Sequence, residues 1–154
     1  MPDHQVVDGL ILQLQEYEKD LSAFTFFSSP MKRCAQFAKL LTPNQAVHFD
    51  TNIQEISFGD WEMQTWESIP QQQLTEWANN IATFAPPNGE SFTSLIHRCE
   101  HFYTHSLKPS TVQNNVLITH AGVIKAFHVI FGHSSIEEAA TIHSPYCSLT
   151  SFSL

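Results

Sequence analysis

The residue in this sequence best suited to chemistry on an anion is His120. It follows an apolar run at residues 116–119 and precedes Ala121 and Gly122, after which apolar residues recur with helical spacing up to Gly132. This pattern predicts a buried strand, a tight turn and a helix. Ligands of open α/β sheets bind at the carboxyl ends of strands, where the N-terminus of a following helix favours an anion. At this point a plainer interpretation is equally open, a strand-end histidine packed into a loop.

Two further charged residues stand where predicted strands give way to the next element. Arg33 lies in the first turn of the helix that follows a strand at residues 23–27, and Glu55 lies at the end of a weaker strand at residues 47–56. The chain carries 7 basic against 15 acidic residues and only two arginines, so each arginine is a scarce cation for an anion site. Alone, either residue is more typical of a solvated surface charge, and their combination with His120 is what indicates a site.

The composition restricts the kind of protein and its partners. A chain of 154 residues has the length of one domain, and 42% hydrophobic residues fit a soluble globular protein. No stretch approaches the roughly 20 apolar residues that span a bilayer, and the start of the chain lacks the basic region of a signal peptide. The net charge of −8 argues against nucleic acid and anionic membranes as partners. Cys34, Cys99 and Cys147 lie in apolar patterns without zinc spacing, which predicts reduced core thiols and a cytoplasmic protein.

The apolar periodicity divides the chain into alternating helices and strands. Helices are predicted at residues 8–21, 30–41, 65–69, 74–84, 92–103, 123–131 and 135–142, and strands at residues 23–27, 47–56, 116–119 and 146–154. In the second helix, Ser29 is the expected N-cap and Pro30 the first helical residue. Strands that alternate with helices predict an α/β fold with a mainly parallel sheet.

Four segments of the chain carry motifs of a known family. They are SSPMKRCAQFAKLL at residues 28–41, QEISFGDWE at 54–62, PPNGESFTSLIHR at 86–98 and NVLITHAGVIKAF at 115–127. In this order and spacing they resemble the histidine phosphatase superfamily, the phosphoglycerate-mutase-like fold, and are most similar to its bacterial α-ribazole phosphatases. The resemblance implies a three-layer α/β sandwich with a mainly parallel sheet. It also implies a phosphomonoesterase that acts on a small phosphorylated metabolite, such as α-ribazole 5′-phosphate of cobalamin biosynthesis.

The same resemblance implies a role for each candidate residue. Arg33 would clamp the substrate phosphate, because a planar guanidinium can donate two hydrogen bonds to it. His120 would hydrogen-bond the transferring phosphoryl group, assisted by the amides of Ala121 and Gly122. Glu55 would donate a proton to the leaving alkoxide. Chemistry of this type needs no metal, and we expect neither a metal site nor another cofactor.

One motif of the family is absent from this sequence. The family's reaction passes through a phosphohistidine, formed on an R-H-G motif at the end of a first strand, and no R-H-G occurs here. We therefore expect a single domain over residues 1–154 that lacks this first strand, is truncated at the N-terminus and is short at the C-terminus. Three interpretations stay open: a phosphatase with an incomplete sequence, an inactive relative that binds a phosphorylated ligand or partner protein, or an unstable remnant.

Other residues admit both a functional and a plainer interpretation. His97, His101 and His105 could chelate a metal from one helix face, but the helical wheel places them opposite the apolar face and predicts exposure. Arg98 is expected to form a structural ion pair rather than to bind phosphate. Three tryptophans are expected to form the core of a small cap rather than a base-stacking platform: Trp61, Trp66 and Trp77.

Overall fold

The computed structural model shows a small parallel sheet between helices, and it describes residues 4–111 and 114–153. The strands are β1 (Phe24–Ser28), β2 (Val47–Phe49) and β3 (Asn114–Ile118). The α-helices are α1 (His4–Gln15), α2 (Lys32–Leu41), α3 (Gln71–Asn79), α4 (Phe92–Phe102), α5 (Ala121–Ile130) and α6 (Ile136–Ala140). Short 3₁₀ helices cover Leu21–Ala23, Thr51–Ile53, Gly59–Trp61 and Trp66–Ser68, and a π-helical turn (Tyr103–Leu107) extends α4.

The sheet brings the predicted site-bearing turns to one edge. All three strands are parallel, in the order β2-β1-β3, so β1 is central. Ser28, at the carboxyl end of β1, lies opposite Phe49 of β2 and Ile118 of β3. The strands therefore end at the same level, and the segments that follow them start side by side. The predicted parallel α/β sheet is confirmed.

The core lies on both faces of the sheet. Successive side chains of a strand point to opposite faces, and in β1 Phe26 packs with α1 and α2 while Phe27 packs with α4 and α5. Both rings are buried, and burial of each is worth about 1.5–3 kcal/mol. Helices therefore cover the two faces in the three-layer arrangement that was predicted.

Several predicted elements are shorter in the structure. The helix predicted at residues 8–21 ends at Gln15, and Tyr17, expected on its apolar face, is 54% exposed. The strand predicted at residues 47–56 stops at Phe49, because the side chain of Asp50 accepts a hydrogen bond from the backbone N–H of Asn52 and turns the chain. Only a 3₁₀ helix forms within residues 65–69. The helix predicted at residues 74–84 corresponds to α3, which ends earlier than predicted, at Asn79.

The start of α2 also differs from the prediction. The N-cap is Met31 rather than Ser29, and Pro30 lies before the helix. The Ser29 hydroxyl does accept a hydrogen bond from the backbone N–H of Met31, at 3.3 Å. Ser29 is fully buried, and its Oγ lies 2.8 Å from Nε2 of His120. Contact with a distant histidine thus takes the place of the expected helix cap.

The predicted last strand, residues 146–154, is wrong for the residues that the structure describes. Residues 146–153 contain no strand, and Cys147 has φ +55°, which breaks an extended backbone. Residues of β3 and of this segment line the same two cavities, of about 490 and 870 Å³. The segment is therefore not paired with β3 by backbone hydrogen bonds. Leu154 lies outside the described residues.

Cys147 is exposed, contrary to the prediction of a core thiol, while Cys34 and Cys99 are buried as predicted.

The tryptophan cluster forms only in part as predicted. Trp61 is 6% exposed and packs edge to face on Trp77, with ring centroids 6.2 Å apart. Trp66 also contacts Trp77 but is 57% exposed, so it belongs to the surface and not to the cap core. None of the helices in the described part of the chain has the length and apolar character needed to cross a bilayer.

Candidate functional site

The structure brings Arg33 and His120 together across the ends of two neighbouring strands. Arg33 lies in the first turn of α2, which follows β1, and His120 is the N-cap of α5, which follows β3. The Arg33 Nη2 and Nε atoms lie 2.9 and 3.2 Å from Nδ1 of His120. Arg33 is an exposed residue and lines an open cavity, so a dissolved anion can reach it. Two residues separated by 87 positions in the chain thus form one polar cluster.

His120 is held from several sides. It is 5% exposed, and its Nε2 lies 2.8 Å from the Ser29 hydroxyl and 3.5 Å from the Cys34 sulfur. Burial disfavours the charged imidazolium and the Arg33 guanidinium repels it, so the pKa of His120 falls to about 4. His120 is therefore a neutral imidazole in the unliganded protein at neutral pH.

Glu55 reaches the same place from the segment that follows β2. One carboxylate oxygen, Oε1, accepts hydrogen bonds from the backbone N–H of Ile56 at 3.0 Å and of Gly122 at 3.1 Å. A Cβ at position 122 would lie 2.3 Å from that oxygen, so only glycine permits this approach. The N-terminus of α5 therefore carries a carboxylate on one side and the His120–Arg33 pair on the other.

Four of the five predicted site residues line one open cavity. Its volume is about 870 Å³, and Arg33, Glu55, His120 and Ala121 are among the residues that line it. The Gly122 amide, predicted as a phosphate donor, is already bonded to Glu55 in this structure. The cavity offers a guanidinium and an imidazole to an oxyanion, and a carboxyl group that can exchange a proton.

The other groups considered from the sequence lie outside this cluster. His97, His101 and His105 are exposed as predicted, and the last two stack with ring centroids 4.1 Å apart. Among the described residues, no group of three or more His, Cys, Asp or Glu side chains is placed to hold a metal ion. Arg98 forms the predicted ion pair, with Nε 2.7 Å from a Glu90 carboxylate oxygen.

Two residues that contact His120 were not predicted from the sequence as site residues. Cys34 was expected only as a core thiol and Ser29 only as a helix cap, yet both lie against the imidazole ring. Ser29 stands in the S-S-P turn, which was the available signal for a role near the strand end. Cys34 directly follows Arg33 in the chain and offers no separate signal.

Comparison with known proteins places this chain in a family. The sequence model of the Histidine phosphatase superfamily (branch 1) matches residues 11–154. The adenosylcobalamin/alpha-ribazole phosphatase of Salmonella typhimurium is 29% identical over 105 residues, which cover 62% of this chain and 50% of that protein. The protein of the same name from Escherichia coli K12 is 28% identical over 101 residues, with the same coverage. The chain thus spans about half the length of the curated relatives it matches.

Solved structures show the same fold. The alpha-ribazole phosphatase from Shigella flexneri superposes with a TM-score of 0.72 at 23% identity and covers 90% of this chain and 70% of that one. A mycobacterial glucosyl-3-phosphoglycerate phosphatase gives a TM-score of 0.65 at 22% identity, with 88% and 69% covered. Since the family profile matches nearly the whole sequence, the chain belongs to the histidine phosphatase superfamily.

Proposed function

We propose that Arg33, His120 and Glu55 form the phosphate-binding and proton-donating part of a phosphomonoesterase site. The substrate is a small phosphorylated metabolite such as α-ribazole 5′-phosphate. The observation that carries this proposal is that the three side chains line one cavity at the carboxyl edge of the sheet, each from a different segment that follows a strand. We expect the protein to act in the cytoplasm, where the buried thiols Cys34 and Cys99 stay reduced.

Binding of a phosphate would change the partners of Arg33 and His120. The exposed guanidinium would exchange its bond to Nδ1 of His120 for two bonds to phosphate oxygens. The negative charge of the phosphate would raise the pKa of His120 from its low value, since an opposite charge favours the imidazolium. A charged imidazole donates from both nitrogens and stabilises charge on the transferring phosphoryl group. Glu55 would give its proton to the leaving alkoxide.

A second function concerns these 154 residues by themselves. In the family that this sequence resembles, the P–O bond of the ester breaks as a P–N bond forms to a histidine in R-H-G, and water then cleaves the phosphohistidine. The 154 residues contain no R-H-G, and His120 is engaged by both Arg33 and Ser29. The alternative is that these 154 residues, taken by themselves, bind a phosphorylated ligand at the same site without turnover.

One experiment on the 154-residue chain tests both functions. Binding of α-ribazole 5′-phosphate is measured by calorimetry and phosphate release by a colorimetric assay. Arg33→Ala should weaken binding roughly tenfold or more, since it removes charge-assisted hydrogen bonds. Lys32→Ala removes an exposed neighbouring cation and is the matched control, which should bind like the wild type. Phosphate release above that of His120→Ala supports the phosphatase, and binding without release supports the alternative. A wild-type chain that does not bind the ester contradicts both.

A further inference from the structure

The segment that carries Glu55 is held by side chains. Four consecutive backbone carbonyls, those of residues 52–55, accept hydrogen bonds from side chains, and three of the four bond to Arg98. Arg98 Nη1 lies 2.7 and 2.8 Å from the oxygens of Asn52 and Gln54, and Nη2 lies 3.1 Å from that of Glu55. The fourth carbonyl, at position 53, accepts from the Thr119 hydroxyl at 2.8 Å.

Arg98 is itself fixed by Glu90 in a two-bond ion pair. Nε and Nη2 lie 2.7 and 2.9 Å from the two carboxylate oxygens, and the side chains are 21% and 17% exposed. Glu90 also binds the segment just after Glu55. Its carboxylate accepts from the N–H of Ser57 at 3.3 Å, and its own N–H donates to the Ser57 carbonyl at 2.8 Å.

We propose that Arg98 and Glu90 are positioning residues that hold the Glu55 carboxylate against the N-terminus of α5. No strand or α-helix covers residues 50–58, so their backbone groups must find other partners. A guanidinium has five donors in a fixed plane, which lets Arg98 serve three carbonyls and one carboxylate at once. The catalytic importance of this positioning rests on the proposed function of Glu55. The positioning itself can be tested independently of that function.

The test measures where Glu55 lies, not what it catalyses. In ¹⁵N- and ¹³C-labelled protein, the chemical shifts of the Gly122 amide and of the Glu55 carboxyl carbon, together with solvent exchange of that amide, report on the bond between them. In the wild type the Gly122 amide should exchange slowly with solvent. Arg98→Lys should move both chemical shifts and raise Gly122 exchange roughly tenfold or more, because a charge-assisted bond is lost.

Two further variants make the result decisive. Glu90→Gln leaves Arg98 in place but replaces one acceptor oxygen by an amide, so it should produce a smaller change of the same kind. If Arg98→Lys does not fold, Glu90→Gln alone tests whether the ion pair positions Glu55. Glu100→Gln alters an exposed carboxylate of α4 and should leave Gly122 unchanged. Wild-type signals of Glu55 and Gly122 in a folded Arg98→Lys protein, or in Glu90→Gln, would overturn the proposal. Failure of phosphate binding would overturn only the proposed function.

Discussion

The guanidinium of Arg33 donates two hydrogen bonds to Nδ1 of His120, from Nη2 at 2.9 Å and from Nε at 3.2 Å. Since a guanidinium has no acceptor, Nδ1 must be the acceptor and the single proton of the neutral ring lies on Nε2. That proton then points to the Ser29 hydroxyl, 2.8 Å away. The unliganded site therefore fixes both the charge state and the tautomer of its histidine.

Stability should rise with pH between about 4 and 6.5 because of His120. Its pKa is about 4 in the folded protein and 6.5 as an ordinary value, so in this window the unfolded chain binds a proton that the folded chain does not. The free energy of unfolding should gain up to about 3 kcal/mol across the window and then level off. Urea denaturation at several pH values measures this dependence.

His120→Gln should remove most of that slope. A smaller slope of the same sign should remain from His128, whose pKa is lowered by partial burial and by the neighbouring His133. An unchanged slope in His120→Gln would show that the histidine is not held neutral by its surroundings.

Gly122→Ala and Gly9→Ala should change stability in opposite directions. Alanine at position 9, inside α1, meets no atom within 4 Å and should stabilise the protein by about 0.5–1 kcal/mol. Alanine at position 122, the second residue of α5, displaces the Glu55 carboxylate and breaks its bond to the amide, a loss of about 1.5 kcal/mol that outweighs the small helix gain at a helix start. Urea denaturation measures both, and an equal gain at the two positions would contradict the Glu55–Gly122 contact.

One of the three cysteines should react rapidly with a thiol reagent in the native protein. Cys147 is exposed, whereas burial raises the pKa of Cys34 to about 11 and that of Cys99 to about 12. The buried thiols are therefore protonated as well as inaccessible. Labelling with a disulfide reagent should give one fast thiol, none in Cys147→Ser, and all three in urea. A fast thiol that persists in Cys147→Ser would mean that the Cys34 side of the site opens readily.

The parts of this fold that were predictable from sequence are those with local signals. The apolar run before His120 and the helical spacing after it place β3 and α5 correctly, and the parallel order follows from the alternation of elements. The position of Arg33 at a strand end is local in the same sense. Its bond to His120 is not local, because it depends on the register of β1 against β3.

What was not predictable depends on long-range contacts. The Tyr146 to Phe152 region alternates like a strand, but a strand forms only beside a partner, and cavities separate it from β3. The Arg98 contacts with Asn52, Gln54 and Glu55 join positions more than 40 apart in the chain, and no local pattern encodes them. The family resemblance implied which residues matter but not which atoms they touch.

The central claim, that Arg33 and His120 receive a phosphate, is tested most directly by NMR titration of the chain with inorganic phosphate. Saturable shifts should appear in the Arg33 Nε–H signal and in the backbone amide of Ala121. Lys32→Ala should retain them, and Arg33→Ala should lose the Ala121 shift at the same phosphate concentrations. A wild-type chain without such shifts, or an Arg33→Ala chain with an unchanged Ala121 shift, would contradict the account.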